Sequence, residues 1–389
     1  MTDITDMGAR DLGPAPVTHG PPPKTIRLSA TLSVYIAKQV LIGVMIAVVA
    51  LATIAVVVDL IELLRRAGSR PDATFGVVFT MAWLHLPFFL QQLLPFAVLF
   101  GVMFSFQRLT RSHELIAARA IGVSVWQFLT PALAVVLTLG GLTVMVFNPI
   151  GAVLVAKYET MERVYFSHRA SMVAVSQGGL WLRQPHGDGE LLLHARQMKR
   201  NPPTLTAVTV FFYDGETRFS ARADAAAARL EPGNWVMVRP LHSFPDGSSE
   251  TLRTMNIPTD LTPDRIKDNF EAPETTSFWD LPGFIENLEA VGFSATEHRL
   301  YWHRLLALPF LLAAMLMIGI SFSLRLVRKG GTGILVAGGL ITGFAFYILS
   351  DVIFALGLSG RLPPAMAAWT PAGIAILLGA TTLLHLEDG

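Results

Sequence analysis

The sequence predicts a membrane protein with six transmembrane helices and an all-β domain, of the jelly-roll type, inserted between the third helix and the fourth. Two observations predict this class. Hydrophobic residues make up 52% of the 389 residues and charged residues only 15%, against about 25% in ordinary soluble domains. Long apolar runs account for the missing charge, and one central region of alternating apolar and polar residues, 157–297, divides these runs into two groups.

A helix that crosses a hydrocarbon core of roughly 30 Å needs about 20 apolar residues. Six segments qualify: 34–58, 75–106, 123–147, 300–324, 334–358 and 365–386. The second segment is long for a single crossing and contains Pro87 and Pro95. We interpret it as one kinked and tilted helix. The alternative is a hairpin of two half-length pieces, which would invert the orientation of everything that follows.

The short loops predict the orientation, because cytoplasmic loops carry an excess of Lys and Arg. The loop after the second span holds Arg108, Arg111 and Arg119, and the loop after the fourth span holds three more basic residues. On the opposite side, the first loop has three and the last loop only Arg361. This bias places both termini in the cytoplasm and the central region outside. Residues 1–30 are rich in Pro and polar residues, so we expect a disordered cytoplasmic tail and not a cleaved signal peptide.

The central region carries hairpin signals. Gly187-Asp188-Gly189 lies between two apolar runs, and Asp214-Gly215 and Asp246-Gly247 follow others. Short strands at this spacing predict a sandwich or jelly roll, and a short helix near 279–291 is expected to return the chain to the membrane. The predicted domains are a tail at 1–30, three spans at 31–150, the β domain with its return segment at 151–297 and three spans at 298–389.

No motif for enzymatic chemistry is present. The glycine-rich run 330–333 lacks the lysine of a phosphate-binding loop, and Ala117 stands where the second histidine of a His-Glu-x-x-His zinc motif would be. The chain has no cysteine, so thiolate ligands and nucleophiles are excluded. We predict no catalytic residue, no metal, no cofactor and no nucleic-acid partner. His85, His303 and Asp351 lie in or near spans, where a polar contact inside the helix bundle is the favoured interpretation.

The end of the first span carries a charged cluster. A helix that continues from residue 34 to Ala67 would be about 50 Å long at 1.5 Å per residue, so it would project beyond the bilayer. Glu62 and Arg66 are spaced i,i+4 and are predicted to pair, which leaves Arg65 free. Two interpretations stay open: a snorkelling charge cluster at a helix end, or a cationic clamp for lipid phosphates.

The cytoplasmic stretch 108–124 predicts a short helix. Ser112 is expected to cap a helix that runs over Glu114–Ala120, with Gly122 as its stop. Glu114 in the first turn suits the helix dipole. Such a helix between two spans is either a docking knob for a soluble partner or an interfacial helix on the lipid surface.

Several stretches together resemble one family. The second span and the loop after it are similar to the second span and coupling helix of the lipopolysaccharide export permeases, the LptF/LptG family. Three further stretches are more similar to LptG members than to LptF members. The resemblance covers about residues 30–389, and the stretches that carry it are 94–96, 109–124, 59–68, 343–349 and 362–371.

The resemblance implies a permease subunit of an ATP-driven exporter that extracts lipopolysaccharide (LPS) from the outer leaflet of the inner membrane and passes it to a periplasmic bridge. It implies a paralogous permease (LptF), a dimer of a cytosolic ATPase (LptB), the periplasmic proteins LptC and LptA, and membrane lipids as partners. The chain would be a multi-pass inner-membrane protein with a periplasmic β domain, and ATP would be hydrolysed in a separate subunit.

The resemblance also implies functional residues. The candidates are Glu114, Leu115 and Arg119 for coupling to the ATPase, and Arg65 and Arg66 for binding LPS. The first and fifth spans would form lateral gates against the partner permease. Asp59 stands where some members have a further basic residue, so only the two arginines are carried over. The alternatives are the LptF half of the same transporter and a membrane scaffold with a periplasmic β binding domain.

Overall fold

A computed structural model describes residues 30–388 except 69, 71, 121–122, 167–171, 177, 187–188, 201, 215–217, 260–271 and 327–331. Six of the described helices are long and apolar enough to cross a membrane. An antiparallel β sheet lies between the third and the fourth of them. The predicted class, a membrane helical protein with an inserted β domain, is confirmed. Apart from Ala30, the predicted tail lies outside the described residues.

The described helices follow one another along two groups of spans. They are α1 (Ala30–Ala67), α2 (Phe75–Arg111), α3 (Glu114–Ala120), α4 (Val125–Leu142), α5 (Asn148–Phe166), α6 (Leu281–Ala290), α7 (Thr296–Leu326), α8 (Thr332–Leu358) and α9 (Pro364–Asp388). A π-helix, Thr143–Phe147, joins α4 to α5, and a 3-10 turn, Pro273–Thr275, precedes α6. The six spans are α1, α2, α4 with α5, α7, α8 and α9.

The second span is a single helix. α2 has 37 residues and continues through Pro87 and Pro95, so the single-span prediction is confirmed and the hairpin alternative is wrong. α1 has 38 residues and reaches Ala67, as the sequence predicts. At 1.5 Å per residue it is long enough to project beyond a bilayer.

Small residues bring α1 and α2 together. A Cβ atom at Gly101 would lie 2.5 Å from the Cα of Val44, so only glycine permits this backbone approach. Ser105 donates a hydrogen bond from its hydroxyl to the carbonyl oxygen of Gln39, at 3.0 Å. Between two helices in lipid, close packing and such hydrogen bonds supply the association that the hydrophobic effect does not.

The third span is longer than predicted. The sequence placed the end of the span at residue 147 and a domain boundary at 151, but the helix continues to Phe166. Pro149 would ordinarily end a helix, because proline lacks an N–H group and clashes with the preceding turn. The π-helix lies directly before this proline. Its wider turn accommodates the proline and allows the helix to continue.

Within the described residues, nine strands form one antiparallel sheet: β1 (Met172–Ser176), β2 (Gly179–His186), β3 (Gly189–Arg200), β4 (Pro203–Asp214), β5 (Arg218–Glu231), β6 (Asn234–Val238), β7 (Leu241–Ser243), β8 (Ser249–Thr251) and β9 (Thr254–Pro258). The order is β1-β2-β3-β4-β5-β6-β9, and β7 pairs with both β5 and β8. β5 pairs with β6 near Leu230 and with β7 near Asp224. The sheet therefore forks along β5.

The sheet folds around its own apolar core. Gln184 in β2 donates a hydrogen bond to the carbonyl oxygen of Pro258 in β9, at 2.9 Å, and accepts one from Thr259 at 2.8 Å. These bonds tie β2, the second strand in the order, to β9 at the opposite end of the sheet. Ile285 and Leu288 of α6 pack into the same core, so the predicted return helix closes the domain on the side of the membrane spans.

The hairpin signals led to hairpins. Asp246-Gly247 forms the turn between β7 and β8, where Gly247 has a φ of +86°. The backbone N–H of Ser248 donates to the Asp246 carboxylate at 2.9 Å, and the serine hydroxyl donates as well. These two bonds hold the pKa of Asp246 below its usual range. The turns at 187–188 and 215–217 lie outside the described residues, and the strands on either side of each pair as predicted.

Candidate functional site

The end of α1 carries an exposed ion pair and a partly buried one. Arg65 donates hydrogen bonds to the Glu62 carboxylate at 2.8 and 2.9 Å. Arg66 donates to Glu162 of α5 at 2.6 Å, and its guanidinium lies 4.9 Å above the ring of Phe166. The predicted pairing of Glu62 with Arg66 is therefore wrong. Glu62 takes the neighbouring arginine because the bond across to α5 turns Arg66 towards the third span.

The two arginines consequently differ in accessibility. The side chain of Arg65 is 75% exposed, whereas that of Arg66 is 38% exposed. An exposed ion pair such as Arg65–Glu62 contributes little to the stability of a protein, because water screens it. A phosphate could therefore replace Glu62 at little cost, and Arg65 is the arginine better suited to bind an anion. Arg66 fastens α1 to α5.

Asp59 and His85 form a third pair, about one helical turn before Glu62 in α1. His85 Nδ1 lies 3.2 Å from Asp59 Oδ1, and the histidine ring stacks on Tyr158 with its centroid 4.2 Å away. Both side chains of the pair are at least four-fifths buried. His85, which the sequence left without an obvious partner, thus has one, and Asp59 faces it between α1, α2 and α5.

On the opposite side of the membrane, α3 begins at Glu114 as predicted, but Ser112 does not cap it. The Ser112 hydroxyl donates back to the carbonyl oxygen of Leu109, at 3.2 Å. His113 has a φ of +62° and makes the turn into the helix, and its carbonyl oxygen accepts the first bond, from Ala117. The left-handed residue redirects the chain so abruptly that the serine side chain points into α2.

The three coupling candidates lie in different environments. Glu114 is exposed. Leu115 is 5% exposed and packs, with Ala118, in the apolar cluster that includes Phe106 of α2. Arg119 belongs to the same helix, and its side chain lies outside the described part. α3 is thus anchored by one face and presents Glu114 on the other.

A buried polar junction links three spans to the β domain. Asn148, the first residue of α5, donates from Nδ2 to Gln91 of α2 at 3.2 Å and to the Tyr301 hydroxyl of α7 at 3.1 Å. Gln91 also donates to the Tyr301 hydroxyl, at 3.1 Å. The backbone N–H of Phe278, in the return segment before α6, donates to Asn148 Oδ1 at 2.8 Å. Asn148 therefore holds the return segment against α2 and α7.

The π-helix supports this junction. The indole N–H of Trp279 donates to the carbonyl oxygen of Met145 within the π-helix, at 3.2 Å. A π-helix leaves carbonyl groups less regularly paired than an α-helix does, and π-helices occur frequently at functional sites. The widened turn thus both places Asn148 and offers an acceptor to the return segment.

A sequence model of the lipopolysaccharide export system permeases LptF/LptG matches residues 34–385. The chain belongs to this family. LptG of Escherichia coli strain K12 is 24% identical over 361 residues, which cover 90% of this chain and 97% of that protein. LptG of Haemophilus influenzae strain Rd is 21% identical over 362 residues, which cover 90% of this chain and 96% of that protein. The match spans both groups of helices and the β domain.

Membership of the LptF/LptG family makes the chain a multi-pass permease subunit of the inner membrane. The sequence alone identified the two arginines and Glu114 as candidates. The sequence did not indicate Glu162 or Asn148, because the predicted third span ended at residue 147 and both residues lie in the part of the helix beyond it. An Asn-Pro step inside an apolar run was the signal that could have marked the π-helix.

Proposed function

We propose that the chain is the LptG-type half of an ATP-driven LPS exporter. With an LptF half and an LptB dimer it would extract LPS from the outer leaflet of the inner membrane and pass it to the LptC and LptA bridge. The observation that carries the proposal is the end of α1, where Arg65 extends into solvent beside a span that is largely exposed within the chain. A phosphorylated lipid would meet charge and apolar surface together there.

The spans support a partner permease. We call the 18-residue apolar stretch that identifies each span its apolar window. Only 17% of this window is buried within the chain in α1 and in α8, against 67% in α7. α1 and α8 are the first and fifth spans, so the predicted lateral gates are the helices that have most surface to offer to LptF. LptG is proposed over LptF because the two relatives compared above are both LptG proteins.

The proposed LPS contact is tested by Arg65→Gln. We expect LPS crosslinking to a photoreactive group near the end of α1 to fall about tenfold, because the charged hydrogen bond from the guanidinium to a lipid phosphate is lost. The complex should assemble normally, since Arg65 contacts only an exposed partner. Arg361→Gln, in an exposed loop on the same side, is the matched control. Crosslinking that stays at the level of the control would contradict the proposed contact.

The proposed coupling role of α3 rests on its two faces. Leu115 fixes the helix to α2, and exposed Glu114 leaves one acidic group for a basic groove in the ATPase. Motion of the ATPase would then reach α2 through a rigid contact. We include Arg119 as a further proposed contact of the same helix.

Glu114→Lys tests the coupling role. We expect the ATPase to be lost from the purified complex, because a like charge would face the groove. Glu286→Lys, at an exposed position of α6 beside the β domain, makes the same charge change on the other side of the membrane and should retain the ATPase. Retention with both variants would contradict docking at α3.

The proposed orientation has both termini in the cytoplasm and the β domain in the periplasm. Asp246→Cys, at the tip of the β7–β8 turn, should react with a membrane-impermeant thiol reagent added to intact cells with a permeable outer membrane. Protection at this position, with reaction only after lysis, would show the reverse orientation.

A further inference from the structure

A cavity of about 200 Å³ lies within the single chain, between α2, α5, α7, α8 and α9. Its walls use the early part of α7, the last part of α8 and the start of α9, so it lies in the half of the membrane nearer to the β domain. Gln91, Asn148 and Tyr301 of the polar junction form one wall. The 3-10 turn of the return segment contributes Glu274.

Most of the remaining wall is apolar. Phe88 and Phe96 of α2, Leu308 of α7 and Phe346 of α8 line it. Tyr347 also lines the cavity and is 45% exposed, so the cavity opens towards the surface of the bundle beside α8. An apolar pocket that opens sideways in the membrane is suited to a hydrocarbon chain.

Three charged residues line the same cavity: Arg304, Asp351 and Glu274. Within the described part of the chain, none of the three forms an ion pair. The Arg304 guanidinium lies 5.6 Å from the ring centroid of Phe354. Ionisable residues are costly within a membrane and usually mark a binding site or pathway there.

The depth of these charges fits a lipid headgroup. Arg304 is eight residues after the start of α7 at Thr296, and Asp351 is seven residues before the end of α8 at Leu358. At 1.5 Å per residue both lie about 10–12 Å along their helices from the side of the β domain. Arg304 and Asp351 therefore lie at similar distances along their helices from the side of the β domain, and both line the cavity with its apolar wall.

We propose that this cavity binds a zwitterionic phospholipid of the bilayer, of the phosphatidylethanolamine type. The phosphate would bind Arg304, the ammonium group would bind Asp351 and Glu274, and one acyl chain would lie against the apolar wall. One cation and two acids complement a headgroup that carries both signs. The same set disfavours a purely anionic lipid, because its acids would repel the headgroup. The proposal does not depend on which cargo the permease moves.

The bound lipid would complete the packing of α8. This helix has 17% of its apolar window buried within the chain, and it contributes Phe346, Tyr347 and Asp351 to the cavity. A lipid held between α8 and α7 would therefore fix the position of the fifth span.

The test is photocrosslinking of the full chain, in its complex, reconstituted in bilayers of phosphatidylethanolamine and phosphatidylglycerol. Benzoylphenylalanine replaces Tyr347 in one sample and Ile341 in the control. Ile341 is on the same helix, is exposed and is outside the cavity wall. Intact mass identifies the lipid attached. We expect phosphatidylethanolamine to be enriched at position 347 over its share of the bilayer, and adducts at position 341 to follow that share.

Charge variants then locate the headgroup. Arg304→Gln and Asp351→Asn should each reduce the enrichment at position 347 about tenfold, the loss expected for one charged hydrogen bond, and Arg361→Gln should leave it unchanged. Native mass spectrometry of the unmodified chain gives a second measurement that needs no variant, with phosphatidylethanolamine retained in preference to phosphatidylglycerol. Equal adducts at positions 347 and 341, or enrichment of phosphatidylglycerol or LPS instead, would overturn the proposal.

Discussion

Two pairs of spans differ sharply in the fraction of their apolar residues that is buried within the protein. α2 and α7 have 50% and 67% of their apolar windows buried within the protein, whereas α1 and α8 each have 17%. α1 is nevertheless the most apolar of the six spans. In a bilayer, apolar side chains gain little by moving from lipid to protein, so apolar character alone does not produce burial. Close backbone approach and polar contacts to several neighbouring spans, and not to one alone, decide which helices form the centre.

The central pair is fastened by both means. Ser323 of α7 donates a hydrogen bond to the carbonyl oxygen of Met103 in α2, at 2.8 Å. Near the β domain, Gln91 of α2 donates directly to the Tyr301 hydroxyl of α7, and Asn148 donates to both. The outer pair is held at fewer points, which leaves its surface for lipid and for the proposed partner. The following three comparisons, each between two variants, test this division, from the largest expected effect to the smallest.

Gly101→Leu should remove the attachment of α1 to α2. Even a Cβ atom there would lie 2.5 Å from the Cα of Val44, so we expect a loss of more than about 3 kcal/mol in the free energy of unfolding and little folded protein. The measurement is the yield and thermal stability of the protein in detergent. Gly141→Leu in α4, where a Cβ atom meets nothing within 4 Å, is the control and should fold normally. Equal stability of the two variants would show that the α1–α2 crossing is not tight.

Asn148→Leu should weaken the central pair and the return segment together. The change leaves the side-chain oxygen of Gln91 and the N–H of Phe278 without their partner, while Tyr301 keeps its bond from Gln91. The expected cost is about 3 kcal/mol. We expect lower stability in denaturant titrations and a change in the fluorescence of Trp279, whose contact lies beside the junction. Asn256→Leu, at an exposed position of β9, should change neither. A variant as stable as this control would mean that the junction contributes little.

Leu312→Ala and Ile341→Ala compare the two pairs directly. Leu312 in α7 is fully buried, and its truncation should cost about 2 kcal/mol through the cavity it leaves. Ile341 in α8 is 70% exposed, and its truncation should cost less than about 0.5 kcal/mol in the isolated chain. The free energy of unfolding of each variant is to be measured by denaturation in mixed micelles. Equal costs would contradict the distinction between central and outer spans.

Much of the architecture could be predicted because it depends on local patterns. Long apolar runs located the six spans, and Asp-Gly pairs located the turn between β7 and β8. The end of the third span was not predicted, because Pro149 usually ends a helix and the Asn-Pro step does not by itself distinguish a helix end from a π-helix that accommodates the proline. The pairing of Arg66 failed for a different reason: spacing along one helix cannot reveal a partner such as Glu162 on another helix.

The sequence by itself determined that the chain crosses the membrane six times, that a β domain interrupts the spans, and that α1 and α3 carry exposed charged groups. These properties follow from hydropathy, alternation and residue type, which act over a few turns. Only the tertiary structure decided that Arg65 is the accessible arginine, that Asn148 joins three spans to the return segment, and that Arg304, Asp351 and Glu274 surround one cavity. Each depends on contacts between helices far apart in the chain, where packing geometry selects the partner.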